Sequence, residues 1–416
     1  MDQIFQQTFQ DPYFHAPMKI LILCNKSPYP AREGGPIAIN MIIEGLISAG
    51  QQVRVLAMNT NKYSVDSGDI PSEYQEKTRI EMIHVDLSIK PLPAFINLFT
   101  DKSYHVERFI SKSFSERLKE ILQEEQFDII QFEMPFMSPY LDIVRKYSKA
   151  KTVLRAHNIE HLIWERIAET SSNPLKKIYL RHLARTLKKH ELTVINHFDG
   201  VAAITKNDAG FFLASGCRVP ITDIPFGIDS SRFPEPVETS SEISLFSIGA
   251  MNWIPNLEGV LWFLENVWPD VSKRYPSLKY YIAGREMPSW FKERHYPNVE
   301  IVGEVEDALK FMYEHTLMIV PLFSGSGIRI KIIEGMACGR TIISTTIGAE
   351  GINYTHLENI LIADQPHEFL ERISSCLNDS GLMNNIGSHA REMVHLYYDR
   401  DRIIGKLLSF YQKIGS

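Results

Sequence analysis

Residues 321–339 read PLFSGSGIRIKIIEGMACG and decide the fold, because they join a buried strand to a helix through a glycine-rich turn. The apolar run 317–320 predicts a strand of a parallel sheet, and the spacing after Gly327 predicts a helix. On that helix Gly327, Lys331, Glu334 and Cys338 fall on one stripe, and apolar residues cover the opposite side. Lys331 and Glu334 are therefore expected to share the face that looks away from the core.

The turn before this helix has the composition of a ligand-binding loop. Gly325 and Gly327 let the backbone approach a ligand, and the unpaired N–H groups of a first helical turn favour an anion. A cation one turn into the helix, with a carboxylate one step further, suits a ligand that has a phosphate end and a hydroxyl-rich end, as a nucleotide-sugar has. The alternative is an ordinary strand-to-helix turn in which Lys331 and Glu334 form a solvated ion pair. The next strand, 340–346, ends in small hydroxyl residues before a second turn at 348–351, and this favours the ligand site.

This segment resembles the donor-site signature of retaining GT-B glycosyltransferases of glycosyltransferase family four. The family has a Glu-Ala-Met-Ala-x-Gly-like helix after a small-residue loop, and residues 334–339 here read EGMACG. The family usually has a second Glu eight residues before the first, to hold the sugar hydroxyls of the donor, but this chain has Ser326 there. The loop Gly-Ser-Gly-x-Arg-x-Lys resembles a branch of the family, so the change is interpreted as a variation of the site.

The resemblance implies further donor contacts. Many family members supply an Arg and a Lys to the donor diphosphate from the first strand-to-helix loop of the second half, whereas residues 249–256 here read GAMNWIPN. We therefore expect Arg329 and Lys331 to neutralise the diphosphate, with backbone N–H groups at Gly249 and at the 325–327 loop, and with Asn252 as a further donor contact.

Composition and charge narrow the class of protein. The 416 residues are 44% hydrophobic and 23% charged, as in ordinary soluble globular chains, and the net charge of −6 argues against a general nucleic-acid binder. The four cysteines are scattered without metal-ligand spacing, no apolar run is long enough to span a bilayer, and the first 17 residues lack the apolar core of a signal peptide. We expect a cytoplasmic protein.

The first half alternates strand-like and helix-like runs, which predicts an α/β fold with a parallel sheet covered on both faces. Strands are predicted at 19–24, 52–57, 79–85, 127–132, 152–155 and 200–204, with a helix at 106–123 between two of them. The long loop after the first strand ends in Gly34 and Gly35, and Pro36 is expected at the first helical position. In the resembled family this loop lies against the donor phosphates and the acceptor. The alternative is a flexible loop closed by the start of a helix.

Two polar residues follow strands at the edge of the sheet that carries ligands. His157 resembles the family's histidine beside the transferred sugar; alone it would be interpreted as capping the strand end, but next to the Glu334 motif the catalytic interpretation is preferred. Glu133 either faces the acceptor or pairs with a Lys or Arg across the turn. We therefore predict His157, Lys331 and Glu334 as catalytic residues, and Glu133 with His157 as acceptor-side residues.

The helix predicted at 175–194 is basic and amphipathic. Such a helix could rest on anionic lipid at a membrane surface, which would suit a lipid-linked acceptor. The alternative, a solvated face on a core-packed helix, is preferred here because no aromatic anchors flank the charge in the sequence.

The resemblance implies a GT-B fold, in which two doubly wound Rossmann-like domains face each other across a cleft. Residues 221–229 resemble the family's interdomain segment, and the Ser-, Pro- and Glu-rich stretch after them has the composition of a linker. The predicted units are a disordered extension 1–17, an acceptor-side domain 18–229, a linker 230–242, a nucleotide-sugar-binding domain 243–395, and a C-terminal helix 396–416 that could cross back to the first domain.

By resemblance, the chain transfers a hexosyl group from an NDP-sugar to a glycan or lipid-linked acceptor with retention, in polysaccharide biosynthesis. No cofactor is expected, and no metal, since no Asp-x-Asp signature ends a strand. Two alternatives are a non-catalytic nucleotide-sugar-binding partner or regulatory subunit, and a GT-B sugar-nucleotide epimerase that needs no acceptor. A nicotinamide dehydrogenase is disfavoured because the first loop lacks Gly-x-Gly-x-x-Gly.

Overall fold

The computed structural model describes residues 17–31, 34–61, 64–88, 90–235, 243–325 and 327–415. The predicted N-terminal extension therefore lies outside the described residues except for residue 17, as do residues 236–242 of the predicted linker and the predicted donor contact Ser326.

The first sheet has seven parallel strands in the described part of the chain, in the order β3-β2-β1-β4-β5-β6-β7. The strands are β1 Lys19–Cys24, β2 Gln52–Thr60, β3 Glu81–Val85, β4 Ile129–Glu133, β5 Lys151–Ala156, β6 Gly200–Ala203 and β7 Ile221–Asp223. The helices that connect them are α1 Gly34–Ser48, α2 Ser72–Thr78, α3 Pro91–Asn97, α4 Tyr104–Glu107, α5 Lys112–Glu124, α6 Leu141–Tyr147, α7 Glu160–Thr170, α8 Pro174–Val194 and α9 Lys206–Ala214.

The second sheet has six parallel strands within the described ranges, in the order β10-β9-β8-β11-β12-β13. The strands are β8 Ser244–Ile248, β9 Lys279–Ala283, β10 Val299–Gly303, β11 Leu317–Val320, β12 Thr341–Ser344 and β13 Leu361–Ile362. The helices are α10 Ile254–Asn266, α11 Trp268–Arg274, α12 Ser289–Lys292, α13 Ala308–Glu314, α14 Ile330–Ala337, α15 Pro366–Asn378, α16 Ser380–Tyr397 and α17 Arg400–Gly415. Two doubly wound Rossmann-like domains are therefore present, as predicted for a GT-B fold.

The strand order explains where the motifs meet. In each sheet the order reverses beside the first strand, between β1 and β4 and between β8 and β11. Ligands of doubly wound sheets bind in the crevice outside the carboxyl ends of the strands at such a switch point. The predicted site residues lie at these carboxyl ends: Gly34 ends the loop after β1, Glu133 is the last residue of β4, and Gly249 and Gly325 lie in the loops after β8 and β11.

Three local predictions were wrong in detail. The helix predicted at 106–123 is two helices, because Ser111 is extended and its hydroxyl accepts from Phe114 N–H, which starts α5. The helix α1 begins at Gly34 and not at Pro36. The helix α14 begins at Ile330 and not near Gly327, because the intervening backbone is not helical: Gly327 has a positive φ of 81° and Arg329 is extended.

The final helix packs against the first domain. A Cβ at Gly45 of α1 would lie 2.5 Å from Ile404 of α17, and Lys406 forms an ion pair of 2.7 Å with Asp223 of β7. This helix begins at Arg400, slightly later than the predicted 396. In the described part of the chain, no helix combines the length and apolarity needed to cross a bilayer.

Candidate active site

A cavity of about 420 Å³ lies between the two domains at the switch points. The first domain contributes Gly34, Gly35 and His157 to its walls, and the second contributes Gly327 and Ile330. The structure therefore brings predicted site residues from opposite ends of the sequence to one cleft.

Two helix N-termini face each other across this cavity. A Cβ at Gly34, the first residue of α1, would lie 4.0 Å from Cδ1 of Ile330, the first residue of α14. Neither helix has an acidic residue in its first turn. The free N–H groups and the positive ends of both helix dipoles therefore favour an anion between them.

Lys331 is held by a contact that joins two loops of the second domain. Its ammonium donates to Asn256 Oδ1 at 2.7 Å, and Asn256 Nδ2 donates to the Ala250 carbonyl at 2.9 Å. Gly249 makes this approach possible, since a Cβ there would lie 2.8 Å from Asn256 Nδ2 and 3.3 Å from Lys331 Nζ. Burial, together with the nearby charge of Arg329, lowers the pKa of Lys331 to about 7, so an anion bound beside it would favour the protonated, charged form.

Arg329 lies against Trp253 and the glycine loop. Its guanidinium carbon is 5.6 Å from the Trp253 ring centroid, and Nη1 donates to the Gly327 carbonyl. A Cβ at Gly325 would lie 2.8 Å from the Trp253 ring, which explains the need for glycine there. Arg329 is 5% exposed, and its Nε and Nη2 groups have no hydrogen-bond partner among the residues that the structure describes. Two donors are thus available to an anionic ligand.

Glu334 lies one turn after Ile330 on α14 and is half-buried. Burial raises the pKa of this carboxyl to about 7, and the charge of Arg232 only partly opposes the rise. None of the hydrogen bonds described for residues 17–415 involves the Glu334 carboxylate. A half-buried carboxylate without a protein donor is suited to accept hydrogen bonds from ligand hydroxyls.

His157 is 8% exposed, and its Nε2 lies 2.5 Å from Glu133 Oε2. Arg155, which is opposite Glu133 on the neighbouring strand, lies 3.5 Å from the same carboxylate. Burial opposes ionisation of Glu133, but the charge of Arg155 and the hydrogen bond from His157 outweigh it and hold its pKa below the ordinary value. Burial lowers the pKa of His157 despite the carboxylate. The pair is therefore an ionised Glu133 that accepts from neutral His157, which leaves Nδ1 available to a ligand.

Two predicted residues have other surroundings. Glu133 is fully buried beneath His157 and does not line the cavity, so it pairs with Arg155 and does not itself contact an acceptor. Asn252 is exposed, and its amide donates to Glu286 at 2.8 Å. The predicted helical stripe holds for Lys331 and Glu334, but Cys338 is fully buried at the C-terminal end of α14.

The sequence assigned no role to three residues of the site. Asn256 orients Lys331, Lys26 lines the cavity beside Gly35, and Arg155 holds Glu133. Only Arg155 had a usable signal, since it is a charged residue inside an apolar strand two positions before His157. Within the described ranges, no three His, Cys, Asp or Glu side chains form a group that could hold a metal ion.

The two domains match two models of glycosyltransferases. Residues 242–379 match the family described as glycosyl transferases group 1, and residues 34–232 match glycosyltransferase family 4. Together with the fold, these matches identify the chain as a glycosyltransferase of the GT-B type.

Relatives and solved structures resemble nearly the whole chain. An uncharacterized 44.6 kDa protein in the cps region of Klebsiella pneumoniae is 24% identical over 403 residues, which are 94% of this chain and 98% of the relative. Sucrose-phosphate synthase from Thermosynechococcus elongatus superposes with a TM-score of 0.66 at 15% identity, over 95% of this chain and 99% of that one. HepE of Anabaena, in a complex with UDP and glucose, superposes with a TM-score of 0.63 at 14% identity, over 95% and 100% of the two chains. These likenesses show the fold.

Proposed function

We propose that the protein transfers a hexosyl group from a nucleoside diphosphate sugar, with the donor held mainly by the second domain. The observation that carries the proposal is a cluster of positive groups at the start of α14: Gly34 and Ile330, the first residues of α1 and α14, line the cavity, and the cations Arg329 and Lys331 flank Ile330 in the chain. A diphosphate is the ligand group that this arrangement suits best. The complexes of HepE with UDP and UDP-glucose support the same class of donor.

Each part of the nucleotide-sugar has a proposed binding residue in the protein. Lys331 and Arg329 bind the diphosphate, while Gly249, Gly325 and Gly327 bring backbone N–H groups close to it, and Ser326 stays a predicted donor contact outside the described residues. Glu334 accepts hydrogen bonds from the nucleotide ribose. Since the leaving diphosphate gains charge in the transition state, these positive groups stabilise it more than the bound donor, and this difference accelerates transfer.

We propose that the acceptor enters from the first domain, beside His157. The bond between the sugar and the diphosphate breaks with its electron pair on the leaving phosphate, the acceptor hydroxyl oxygen forms the new bond to the same carbon, and the hydroxyl proton passes to the leaving phosphate. Nδ1 of His157 accepts a hydrogen bond from the sugar or from the incoming hydroxyl. Retention of configuration rests on the family resemblance, and NMR of the anomeric product tests it.

The charge on the leaving group is neutralised in this proposal by the protein alone, without a metal. Transfer should continue in EDTA at an unchanged rate, and a loss of activity that Mg²⁺ or Mn²⁺ restores would contradict the proposal. The matched control contains the same concentration of EDTA with Mg²⁺ in molar excess over it.

The assay that tests the function combines binding with turnover. Calorimetry with UDP, GDP and ADP and their sugar conjugates should identify one nucleotide family that binds wild type and binds Glu334→Ala weakly. Slow donor hydrolysis or transfer then distinguishes an enzyme from a non-catalytic binding subunit. Conversion of the donor to its epimer without an acceptor would instead indicate an epimerase.

A lipid-linked acceptor is supported by an exposed surface on the first domain, which we call the α3–α8 surface. On α3 and the turn after it, Leu92, Phe95, Ile96 and Phe99 are between 54% and 78% exposed. The Phe95 and Phe99 rings lie 5.5 Å apart. Such a cluster of apolar and aromatic side chains is unusual on a soluble surface and suits the boundary of a bilayer.

The basic helix α8 lies beside this cluster. His182 Nε2 of α8 is 3.2 Å from the Asn97 carbonyl oxygen, and Lys189 forms an ion pair of 2.7 Å with Asp101. The same helix exposes the basic residues Lys176, Arg181 and Arg185 and the apolar residues Leu175 and Ile178. In this proposal, Phe95 and Phe99 act as the aromatic anchors that are missing from the sequence around α8.

This surface is connected to the cleft. The chain segment that carries α3 and α4 begins after Leu87 and ends before Phe109, and both residues line the 420 Å³ cavity. A protein docked through the α3–α8 surface would hold the acceptor side of its cleft close to the lipid headgroups. We propose an anionic bilayer as the partner of this surface, and glycan assembly as its setting, which the relative in a cps region supports.

Flotation with phosphatidylglycerol-containing vesicles tests the proposed surface. The wild-type protein should float at low salt and bind pure phosphatidylcholine vesicles less well, because each cation near an anionic surface adds about 1 kcal/mol. The variants Phe95→Ser with Phe99→Ser, and Arg181→Ala with Arg185→Ala, should each reduce binding. Leu396→Ser, which alters an exposed residue of α16, is the control. Equal flotation of all variants would refute the proposed surface.

A further inference from the structure

A line of buried polar side chains crosses one face of the first sheet. Gln131 and Glu133 of β4 are two residues apart and so share this face, and Arg155 of β5 is in register with Glu133. His157 lies two residues after Arg155. The face is covered by α1, whose Ala38 carbonyl accepts from Arg155 at 3.3 Å, and by α17.

Hydrogen bonds link these side chains to the C-terminal helix. The Tyr411 hydroxyl of α17 donates to Gln131 Oε1, and Gln131 Nε2 donates to Glu133 Oε1 at 2.5 Å. The other oxygen of Glu133 lies 2.5 Å from His157 Nε2. Tyr411 is 1% exposed, and Gln131 and Glu133 are fully buried. The chain of contacts thus runs from α17, 280 positions along the sequence from Gln131, to the wall of the cleft.

Each link of this chain has only one favourable direction. A carbonyl oxygen accepts only, so the tyrosine hydroxyl must donate to Gln131 Oε1, and this orients the amide with its N–H groups toward Glu133. If the amide rotated, its oxygen would face the carboxylate, which also accepts only. Burial raises the pKa of Tyr411, so its hydroxyl stays protonated and always offers the donor.

We infer that Tyr411 is a positioning residue for His157: it fixes the Gln131 amide, which stabilises the Glu133 carboxylate, which in turn holds the His157 tautomer that carries its proton on Nε2. Nδ1 of His157 then has a free lone pair at the wall of the cleft, where it can accept a hydrogen bond from a substrate hydroxyl. The inference goes beyond the proposed function and rests on it only for the role of His157 in transfer.

The charged and titratable groups around His157 determine how the variant should titrate. They are Glu133 of β4, Arg155 of β5, Lys26 of the loop after β1 and, near Glu133, the Cys24 thiol of β1. Without the Tyr411 hydroxyl, the Gln131 amide loses the donor that fixes its oxygen and is held less firmly against Glu133. A weaker hydrogen bond from Gln131 leaves the Glu133 carboxylate a stronger acceptor for the His157 proton. The Tyr411→Phe variant should therefore raise the apparent pKa of His157.

Histidine-selective ¹⁵N NMR of the full chain without substrate tests the inference. In wild type we expect the His157 signals of the tautomer protonated on Nε2. In Tyr411→Phe we expect the apparent pKa of His157 to rise by about 0.5 to 1, as the loss of one hydrogen bond implies. Gln131→Met removes the amide that donates to Glu133 and should raise the apparent pKa of His157 in the same way. The inference can therefore be tested with one variant if the other folds poorly. An unchanged His157 titration in both variants would overturn the inference.

A matched control is Tyr280→Phe, which removes an equally buried hydroxyl that lies 2.8 Å from Ser247 Oγ in the second domain. It should lose similar stability without changing the titration of His157. In a Glu133→Gln background, Tyr411→Phe should no longer affect His157, because the link is already broken. If the NMR change is seen but transfer keeps its wild-type rate and pH profile in Tyr411→Phe, the positioning holds and the catalytic role of His157 fails.

Discussion

Replacing Glu334 with Gln should stabilise the protein and weaken donor binding together. Burial raises the pKa of the Glu334 carboxyl from 4.5 to about 7, so the folded protein holds this proton more tightly than the unfolded chain does. The stability that the protonated form contributes is complete below pH 4.5 and is lost as the pH rises to 7. Above pH 7 the half-buried Glu334 carboxylate is ionised and lowers the free energy of unfolding. The amide of Gln has the same shape and no charge, so it removes this destabilisation.

The magnitude follows from the same pKa. The upper limit is about 3 kcal/mol, at about 1.4 kcal/mol for each pH unit, and partial exposure reduces it to about 1–3 kcal/mol. A thermal unfolding series should show a Tm for Glu334→Gln that equals wild type near pH 4 and exceeds it by about 2–8 °C at pH 8. The control is Glu392→Gln, which makes the same charge change at an exposed site on α16.

Donor binding should change in the opposite direction. A charge-assisted hydrogen bond contributes about 1.5–3 kcal/mol, so calorimetry at pH 8 should show a Kd for the nucleoside diphosphate about 10- to 150-fold higher in Glu334→Gln. A variant that is less stable than wild type at pH 8 would refute the electrostatic argument. A variant that is more stable but binds the nucleotide as tightly would refute the assignment of Glu334 to the ribose.

Two further substitutions test the donor site, and a third tests how α10 packs against the turn after β11. Lys331 has a pKa of about 7 in the free protein, so nucleotide affinity should fall about tenfold per pH unit above pH 7, with proton uptake seen by calorimetry in two buffers, and Lys331→Met should abolish this dependence. Gly249→Ala should weaken nucleotide binding about tenfold or more, since its Cβ would displace Asn256 and with it Lys331; equal affinity would contradict the contact. Gly259→Ala should lower the unfolding free energy by about 2–4 kcal/mol, because its Cβ would lie 2.0 Å from the Pro321 carbonyl oxygen, and a denaturant titration measures this.

The types of the elements and the ligand-binding edge of each sheet could be predicted because they depend on local sequence pattern. The apolar runs at β4, β5 and β11 and the glycines at 34 and 325 define strands and their turns without information from distant residues. Since parallel strands place their carboxyl ends on one edge, Gly34 and His157 could be assigned to the ligand edge of the first sheet and Lys331 to that of the second, whereas the cleft between the two domains was predicted from the family resemblance. The start of α14 could not, because the positive φ of Gly325 and Gly327 delays the helix by three residues, a choice that the loop's contact with Trp253 determines.

By itself, the sequence determined two parallel α/β domains and a glycine loop followed by a cation and a carboxylate. Only the tertiary structure decided that Asn256 binds Lys331, that Phe95 and Phe99 lie beside the basic helix α8, and that Tyr411 reaches Gln131. The physical reason is that residues so far apart in the chain meet only after strand order and helix packing bring them together. A local pattern records how apolar a face is, but it does not record which side chain will cover that face.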